Sequence, residues 1–205
     1  MTKKRTTDLN KYNADITAGS LLYYETRQVV KCILDGMADT DIRKAVEEDN
    51  ILQKRSVAAS KRIYSLIKNR LNTVKNDKNF LELIYNSDAI TAKQAMLVLV
   101  LRNSKLMANF MVSVIQPKYR TYETSLTKLD WEQFLDELGR QDPEFPTWSD
   151  QTFAKIRDCI FRVLVEVGYL SQDSKLVRVI PDNRVIDYLV QSNDNFIKQC
   201  LEVAL

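Results

Sequence analysis

Apolar residues recur at intervals of three and four along most of the chain, which is the spacing of one face of an α-helix. In the first third of the sequence this spacing predicts helices over about residues 20–36, 39–50 and 56–72. Ser56 stands before the third pattern in the position of an N-cap. Three helices, of which the last two are joined by a short connection, indicate a helix-turn-helix unit.

The middle of the chain continues the helical pattern. The segments KNFLELIYN, TAKQAMLVLVLRN and KLMANFMVSVIQ each predict a helix, and Pro117 is expected to close the last one. The second segment is apolar on nearly all sides, which is typical of a central buried helix. Its apolar run alone also fits a buried strand, but the good helix formers at its start favour a helix.

Two further helices and a change of pattern are predicted after residue 120. Asp130 is expected to cap a helix in LDWEQFLDELGRQ, and Ser149 to cap a long helix that runs through Val167 and ends at Gly168. The short apolar pieces YL and LVRVI then flank the polar turn SQDSK and predict a small β-hairpin. The segments NRVIDYLVQ and NDNFIKQCLEVA predict two final helices. Helix, helix, hairpin is the order of a winged-helix module.

These elements predict an all-α protein, a helical bundle with an N-terminal helix-turn-helix-like unit and a C-terminal winged-helix-like unit that contains one small β-hairpin. The length of 205 residues allows one or two domains. Residues 1–15 are polar and unpatterned and predict a flexible basic tail. Residues 16–120 are expected to form the N-terminal helical domain, and residues 121–205 the C-terminal domain.

Composition excludes several classes of enzyme. The chain has no histidine, which excludes a Ser/His/Asp triad, a Cys/His pair and a His-ligated zinc site. Its four glycines are scattered, so no Gly-rich loop could hold a nucleotide phosphate. The three cysteines lie far apart among apolar neighbours, as reduced core thiols of a cytosolic protein do. We therefore expect no catalytic residues, no metal and no cofactor.

The sequence gives no sign of a membrane segment. Its first residues carry positive charge without the apolar stretch of a secretory signal. The most apolar run, AMLVLVL, is far shorter than the roughly 20 residues that span a bilayer. We expect a soluble cytoplasmic protein.

Positive charge is concentrated on the third predicted helix, although the net charge of the whole chain is only +3. The stretch KRSVAASKRIYSLIKNRL, residues 54–71, contains no acidic residue. One side of the helix is apolar and the other is cationic. Arg70 alone falls within the apolar side, and we expect it to reach solvent near the end of the helix.

A cationic face without acids favours an anionic partner. A solvated helix normally mixes charges, because pairs of opposite charge stabilise it by about 0.2–0.5 kcal/mol each. A phosphate backbone is the commonest anion that matches a helical face. Lys54 and Arg55 suit phosphates, whereas Arg62, Ser65 and Asn69 can read base edges. The candidate nucleic-acid-binding residues are Lys54, Arg55, Lys61, Arg62, Ser65, Lys68, Asn69 and Lys75.

Other interpretations stay open. The cationic face could pair with an acidic surface, either on a partner or within the chain at Glu47, Glu48 and Asp49. The C-terminal unit fits a protein-docking module as well as a second DNA contact. A metal-dependent nuclease would use the acids at positions 47–49, or those at positions 130, 132, 136 and 137. The amphipathic pattern around the second set predicts a solvated helix face.

Three stretches of the chain resemble the BrxA family, the small accessory protein of bacterial BREX (bacteriophage exclusion) systems. They are LLYYETRQVVKCILDG, NILQKRSVAASKRIYSLIKNRL and WSDQTFAKIRDCIFRVLVEVGYL, and the resemblance extends from about Ser20 to Ile180. It implies an all-helical cytoplasmic protein that binds double-stranded DNA through helix-turn-helix-like elements. It also implies other BREX proteins as partners: a methyltransferase, a phosphatase-like protein and ATPases.

The resemblance supplies no catalytic residues and leaves the oligomeric state open. The family is also likened to the RNA-binding antitermination factor NusB, so RNA is a less favoured alternative ligand. We predict a non-enzymatic, DNA-binding component of a phage-defence system. The alternatives are a structural adaptor that docks its basic face on another defence protein, or an RNA-binding protein.

Overall fold

The computed structural model describes residues 11–202, and over this range the chain is helical and contains no β-strand. The all-helical class predicted from the sequence is therefore confirmed. After a 3-10 helix at Asp15–Ala18, the α-helices in chain order are α1 (Tyr23–Leu34), α2 (Asp39–Glu47), α3 (Val57–Asn72), α4 (Lys78–Asn86), α5 (Ala89–Asn103), α6 (Lys105–Phe110), α7 (Gln116–Arg120), α8 (Lys128–Gln141), α9 (Asp150–Val167), α10 (Asn183–Gln191) and α11 (Asn195–Leu201).

Local sequence signals correctly predicted the ends of the two longest helices. The Ser56 hydroxyl accepts a hydrogen bond from the Ala59 backbone N–H at 3.2 Å and so caps α3. Ser149 caps α9 in the same way. Gly168 ends α9 with a φ of 89°, a left-handed conformation that glycine adopts without steric cost.

The predicted start of α8 is wrong by one turn. Thr127, not Asp130, is the N-cap: its hydroxyl accepts from the Asp130 N–H at 3.3 Å, and the Asp130 carboxylate accepts from the Thr127 N–H at 2.7 Å. This reciprocal pair is a capping box, in which the acidic residue occupies the third helical position.

The helix expected to close at Pro117 continues to Arg120. Between α6 and α7 the chain forms a π-helical segment at Met111–Ile115, and the Gln116 N–H donates to the Met111 carbonyl five residues back. A proline ring clashes with the carbonyl four residues earlier in an α-helix. The wider π turn relieves that clash, so the helix passes through the proline.

The predicted β-hairpin is not formed as a pair of strands in the described part of the chain. Only isolated antiparallel bridges occur there, between Leu170 and Leu176 and between Ser125 and Lys175. The cause is that residues 174–177 form backbone hydrogen bonds with two different segments, residues 124–126 and residues 169–171. Leu176 N–H donates to the Thr124 carbonyl at 2.9 Å, whereas the next N–H donates to the carbonyl of residue 169 at 3.0 Å.

Helix α5 lies at the centre of the core, as predicted. Residues 95–101 are all buried, and buried side chains on both sides of residue 120 join them in one cluster. The predicted domain boundary near residue 120 stays a prediction. No single helix among residues 11–202 has the length and apolar character to cross a bilayer, although the sharply bent pair Ala89–Asn103 and Lys105–Arg120 passes by length and composition alone.

Most of the predicted basic tail, residues 1–10, lies outside the described residues. In the remaining part of the tail, Tyr12 contacts the segment that follows α8. Its hydroxyl donates to Asp142 at 2.8 Å, and its ring packs edge-on against Phe145 with 5.7 Å between centroids.

Arg70 is buried, so the expectation that it reaches solvent is wrong. Only 2% of the residue is exposed, and its guanidinium donates to the carbonyls of Gly19 at 3.1 Å, Ser20 at 2.7 Å and Leu21 at 3.4 Å. Burial lowers the pKa of Arg70 to about 10, against the opposing effect of the Glu166 charge. Three backbone acceptors replace water, which is why an arginine can occupy the apolar face of α3.

Glu166 of α9 holds the other side of the same backbone segment. Its carboxylate accepts from the Ser20 hydroxyl at 2.7 Å and from the Leu21 N–H at 3.0 Å. The segment is therefore bonded to α3 through Arg70 and to α9 through Glu166, and this double contact positions α3.

Replacing Arg70 with lysine is expected to reduce the free energy of unfolding by about 2–4 kcal/mol. One ammonium group cannot reach three carbonyls, and each buried carbonyl left unpaired costs about 1–3 kcal/mol. Urea denaturation followed by circular dichroism measures the change. Arg140→Lys, on the exposed face of α8, is the matched control and should shift the value by less than about 0.5 kcal/mol. Overlapping curves for Arg70→Lys and the unmodified protein would contradict this role.

Candidate nucleic-acid interface

The two faces of α3 are those that the sequence predicts. Tyr64, Leu66, Ile67 and Leu71 are buried against the rest of the protein. On the opposite side Lys61, Arg62 and Ser65 are exposed, and Lys68 and Asn69 are half-buried. The amphipathic character of the helix therefore extends over its whole length.

Two of the predicted cations on this face are neutralised by α2. The Lys61 ammonium lies 2.9 Å from the Glu47 carboxylate, and the Lys68 ammonium lies 2.5 Å from the Asp39 carboxylate. Pairing with an acidic surface inside the chain, in which Glu47 was one of the named candidates, thus accounts for both. Each carboxylate competes with any outside anion for its lysine.

Lys54 is engaged in a similar way just before α3. Its ammonium pairs with Glu25 of α1, and only 24% of the Lys54 side chain is exposed. The Lys54 N–H donates to the Asn50 side-chain oxygen at 2.9 Å, and the Asn50 amide donates back to the Lys54 carbonyl at 3.0 Å. The loop that leads into α3 is held closed by these bonds.

Asp39 connects the two helices through more than one contact. It accepts from the Tyr64 hydroxyl at 2.9 Å as well as from Lys68. The Lys68 ammonium, with the Tyr64 hydroxyl and Arg43, holds the pKa of Asp39 below its usual value, although partial burial acts in the opposite direction. Burial and the hydrogen bond to Asp39 raise the pKa of Tyr64.

Two other candidates contact the 3-10 helix. Arg62 donates to the Thr17 carbonyl at 3.3 Å, and the Asn69 side-chain amide donates to the Asp15 carboxylate at 3.4 Å. Arg62 therefore has a backbone acceptor but no carboxylate partner in the described part of the chain. Asn69 is half-buried and directed toward the protein, which leaves it poorly placed to read a base edge.

The remaining candidates, Arg55, Ser65 and Lys75, have no side-chain partner within residues 11–202. Arg55 lies two residues before α3, Arg62 lies in the first half of the helix and Ser65 is its ninth residue, and all three are exposed. Lys75 lies beyond the other end of this 16-residue helix, which is about 24 Å long. Arg62 and Ser65 are thus three residues apart on one face of α3, whereas Arg55 precedes the helix and Lys75 follows it.

The first turn of α3 is open to solvent. Ser56, Val57 and Ala58 are all exposed and small, and the turn contains no acidic residue. Backbone N–H groups at a helix N-terminus attract anions, and the helix dipole adds a partial positive charge there. The cations Arg55 and Arg62 lie on either side of this turn in sequence. We call Arg55, Ser56, Val57, Ala58, Arg62 and Ser65 the α3 N-terminal surface.

Sequence reasoning missed Asp39 as a partner, although a signal existed. Asp39 and Glu47 are eight residues apart on α2, and Lys61 and Lys68 are seven apart on α3. At about 1.5 Å per residue these separations are nearly equal, about 12 and 10.5 Å. Two helices packed in opposite directions can therefore form both ion pairs at once. The connection between them spans residues 48–56.

The acids considered for a nuclease do not converge. In the range 11–202, no group of three or more His, Cys, Asp or Glu side chains is arranged to hold a metal ion. Asp130 pairs with Lys118 at 2.7 Å and closes the α8 capping box. Asp136 is exposed on the outer face of α8.

Comparison with known proteins gives consistent matches over most of the chain. The family model described as BrxA matches residues 10–193. A protein of Paramagnetospirillum magneticum named BREX protein BrxA is 33% identical over 198 residues, which cover 95% of this chain and 98% of that one. Proteins of the same name from Bacillus cereus and Escherichia coli are 27% and 24% identical, over 78% and 84% of this chain and 78% and 82% of their own lengths.

A solved structure has a similar fold. The crystal structure of an uncharacterized protein from Magnetospirillum magneticum superposes with a TM-score of 0.84 at 32% sequence identity. The match covers 94% of this chain and 99% of that chain. The helical arrangement described above is therefore also found in an experimentally determined relative.

Replacing Asp39 with asparagine is expected to destabilise the protein in a pH-dependent way. Because the pKa of Asp39 is lower in the folded state than the value of about 3.9 in the unfolded chain, its ionised form stabilises the fold at neutral pH. This contribution is lost as the pH falls through the folded-state pKa. The difference in urea midpoint from the unmodified protein should be largest at pH 7 and shrink below about pH 4.

The matched control is Asp136→Asn, on the exposed face of α8, whose midpoint should follow that of the unmodified protein at each pH. An Asp39→Asn difference of the same size at pH 7 and pH 3 would contradict the ion-pair explanation.

Proposed function

Because the chain belongs to the BrxA family, we propose that it is a component of a bacterial BREX phage-defence system and that it contacts duplex DNA through the α3 N-terminal surface. The family match over residues 10–193 supports the first part. Its proposed partners are the other proteins of a BREX system. The contact with DNA rests on the charge distribution of the described residues.

The observation that carries the DNA proposal is the pair of exposed arginines at the start of α3. Arg55 and Arg62 have no carboxylate partner among the described residues, whereas the neighbouring Lys61 is neutralised by Glu47. Arginine side chains without an acid can donate to phosphate oxygens in a fork geometry. The small residues of the first turn would allow the helix end to approach closely.

In this proposal α2 and α3 act as a helix-turn-helix-like pair with α3 in the major groove. That groove is about 12 Å wide and admits an α-helix, whose N-terminal residues then contact base edges. The major groove of A-form RNA is deep and narrow and does not admit side chains in this way. An exposed helix end therefore supports duplex DNA over duplex RNA.

We propose binding rather than catalysis for this surface. The chain contains no histidine, and the names of the relatives do not indicate an enzyme. The residues of the α3 N-terminal surface are two arginines, two serines and two small apolar side chains, which supply positive charge and hydrogen bonds but no general base.

A structural adaptor is the second candidate. Tyr24 and Ile90 are 78% and 71% exposed, and Tyr24 lines a cavity of about 430 Å³ together with Ala89 and Lys93. Exposed apolar side chains around a cavity are typical of protein contacts. Co-purification with another BREX protein after nuclease treatment, together with no binding of duplex DNA at about 50 mM salt, would favour this function.

The double variant Arg55→Ala/Arg62→Ala is expected to bind duplex DNA about tenfold more weakly or worse. It should also reduce the slope of log affinity against log salt by about 2, because each phosphate contact contributes about 0.9. Fluorescence anisotropy with a labelled duplex at several salt concentrations measures both quantities.

The matched control is Lys31→Ala/Arg140→Ala, which removes two positive charges from exposed ion pairs on α1 and α8. Its affinity for duplex DNA should stay close to that of the unmodified protein. Both double variants should keep the melting temperature of the unmodified protein. Equal loss of affinity in the two variants would show that only net charge matters and would refute the α3 surface.

Glu47→Gln is expected to strengthen binding of duplex DNA by about two- to fivefold. The substitution removes the carboxylate that faces Lys61 and so frees one further cation beside Arg62, which adds up to about 0.9 to the salt slope. The same titration measures the effect, with Glu132→Gln on α8 as the control for loss of one negative charge. An affinity no higher than that of the control would exclude Lys61 from the interface.

A further inference from the structure

Tyr122 occupies an unusual backbone position at the end of α7. Its φ is 58°, in the left-handed region. The Tyr122 N–H donates to the Tyr119 carbonyl at 3.3 Å, and the Glu123 N–H donates to the Lys118 carbonyl at 2.9 Å. These two bonds form the helix-ending Schellman motif, whose left-handed position is usually glycine. A tyrosine there costs free energy that glycine would not.

The Tyr122 side chain makes no packing or hydrogen-bond contact with the described residues that would stabilise the fold. It is 89% exposed, more than any other large apolar or aromatic residue in the described part of the chain. No ring of a described residue packs against it, and its hydroxyl has no hydrogen-bond partner within residues 11–202. A strained backbone that carries a large unpacked ring indicates a role outside folding.

Two arginines without acidic partners lie on the backbone segments around Tyr122. Arg120 is the last residue of α7, and Arg178 follows Val177, whose carbonyl accepts the Tyr119 hydroxyl. Both arginines are exposed, and neither pairs with a carboxylate of the described residues. By contrast, the nearby Lys118 is buried and pairs with acids on both sides.

The backbone beneath these three side chains is held in place. Leu176 N–H donates to the Thr124 carbonyl at 2.9 Å, and Leu126 N–H donates to the Ser174 carbonyl at 3.0 Å. The segments 119–126 and 174–178 therefore run side by side. Arg120, Tyr122 and Arg178 are presented from one fixed edge of the C-terminal half, which we call the Tyr122 edge.

We propose that the Tyr122 edge is a binding site for an unpaired nucleic-acid strand, in which the tyrosine ring stacks on a base and the two arginines bind the flanking phosphates. Aromatic rings combined with cations form the usual platform for single strands. A fully paired duplex hides the faces of its bases, so the ring has a stacking partner only where a strand is open. The inference rests on the proposed function solely for the class of ligand, because its residues are separate from α3.

The test uses the full chain and three probes: a blunt duplex, the same duplex with a six-nucleotide overhang, and a single-stranded oligonucleotide. The unmodified protein is expected to bind the overhang duplex about fivefold or more tightly than the blunt one. Tyr122→Gly should abolish that increment while its melting temperature stays equal or rises, because glycine relieves the backbone. Tyr122→Phe should keep the increment, and Arg120→Ala/Arg178→Ala should lose most of it.

Several outcomes would overturn the inference: no preference for the overhang, an unchanged increment in Tyr122→Gly, or a marked fall in its melting temperature, which would make the ring structural. Loss of an interaction with another protein, with nucleic-acid binding unchanged, would also overturn it. The Arg55→Ala/Arg62→Ala variant separates the two proposals. It should weaken blunt-duplex binding yet keep the overhang increment, so absence of blunt-duplex binding alone refutes the α3 surface and not this edge.

Discussion

The buried guanidinium of Arg70 is the contact on which the position of α3 depends. A charge in the core requires acceptors, and here they are the backbone carbonyls of residues 19–21, which point at α3. The opposite side of the same segment donates to Glu166. Cation and anion thus attract each other across a backbone segment that hydrogen-bonds to both. Immediately afterwards Leu22 adopts a φ of 58° to start α1, a conformation that persists because these contacts fix the chain on either side.

Fixing α3 in this way decides which of its cations are available. Helix α2 packs against α3 and pairs Glu47 with Lys61 and Asp39 with Lys68. Arg62 lies between these two ion pairs without a carboxylate partner among the described residues, and Arg55 lies just before the helix. The positive charge is therefore divided between two lysines, which pair with α2 and contribute to packing, and two arginines, which have no acidic partner among the described residues and are open to an outside anion.

The helices themselves could be predicted from sequence because their signals are local. Ser56, Ser149 and Gly168 mark helix ends through contacts within a few residues, and the apolar pattern placed α5 in the core. Arg70 could not be placed, since its acceptors lie 49 to 51 residues away. The sequence predicted the candidate site as one face of a helix. It could not predict which cations of that face are paired, because their partners come from α1, α2 and the 3-10 helix. Its ligand stays a prediction.

The π-helical segment at Met111–Ile115 has a consequence for the other end of the molecule. Each residue of an α-helix turns the chain by about 100°, so the single extra residue accommodated by the π turn sets the rotational phase of everything after it. In that phase Lys118 lies buried between Glu123 and Asp130, each 2.7 Å away. The ion pair between Lys118 of α7 and Asp130 of α8 therefore depends on the number of residues in the π-helical segment as much as on the type of residue at each position. A relative one residue shorter at this point turns a different side chain toward Asp130.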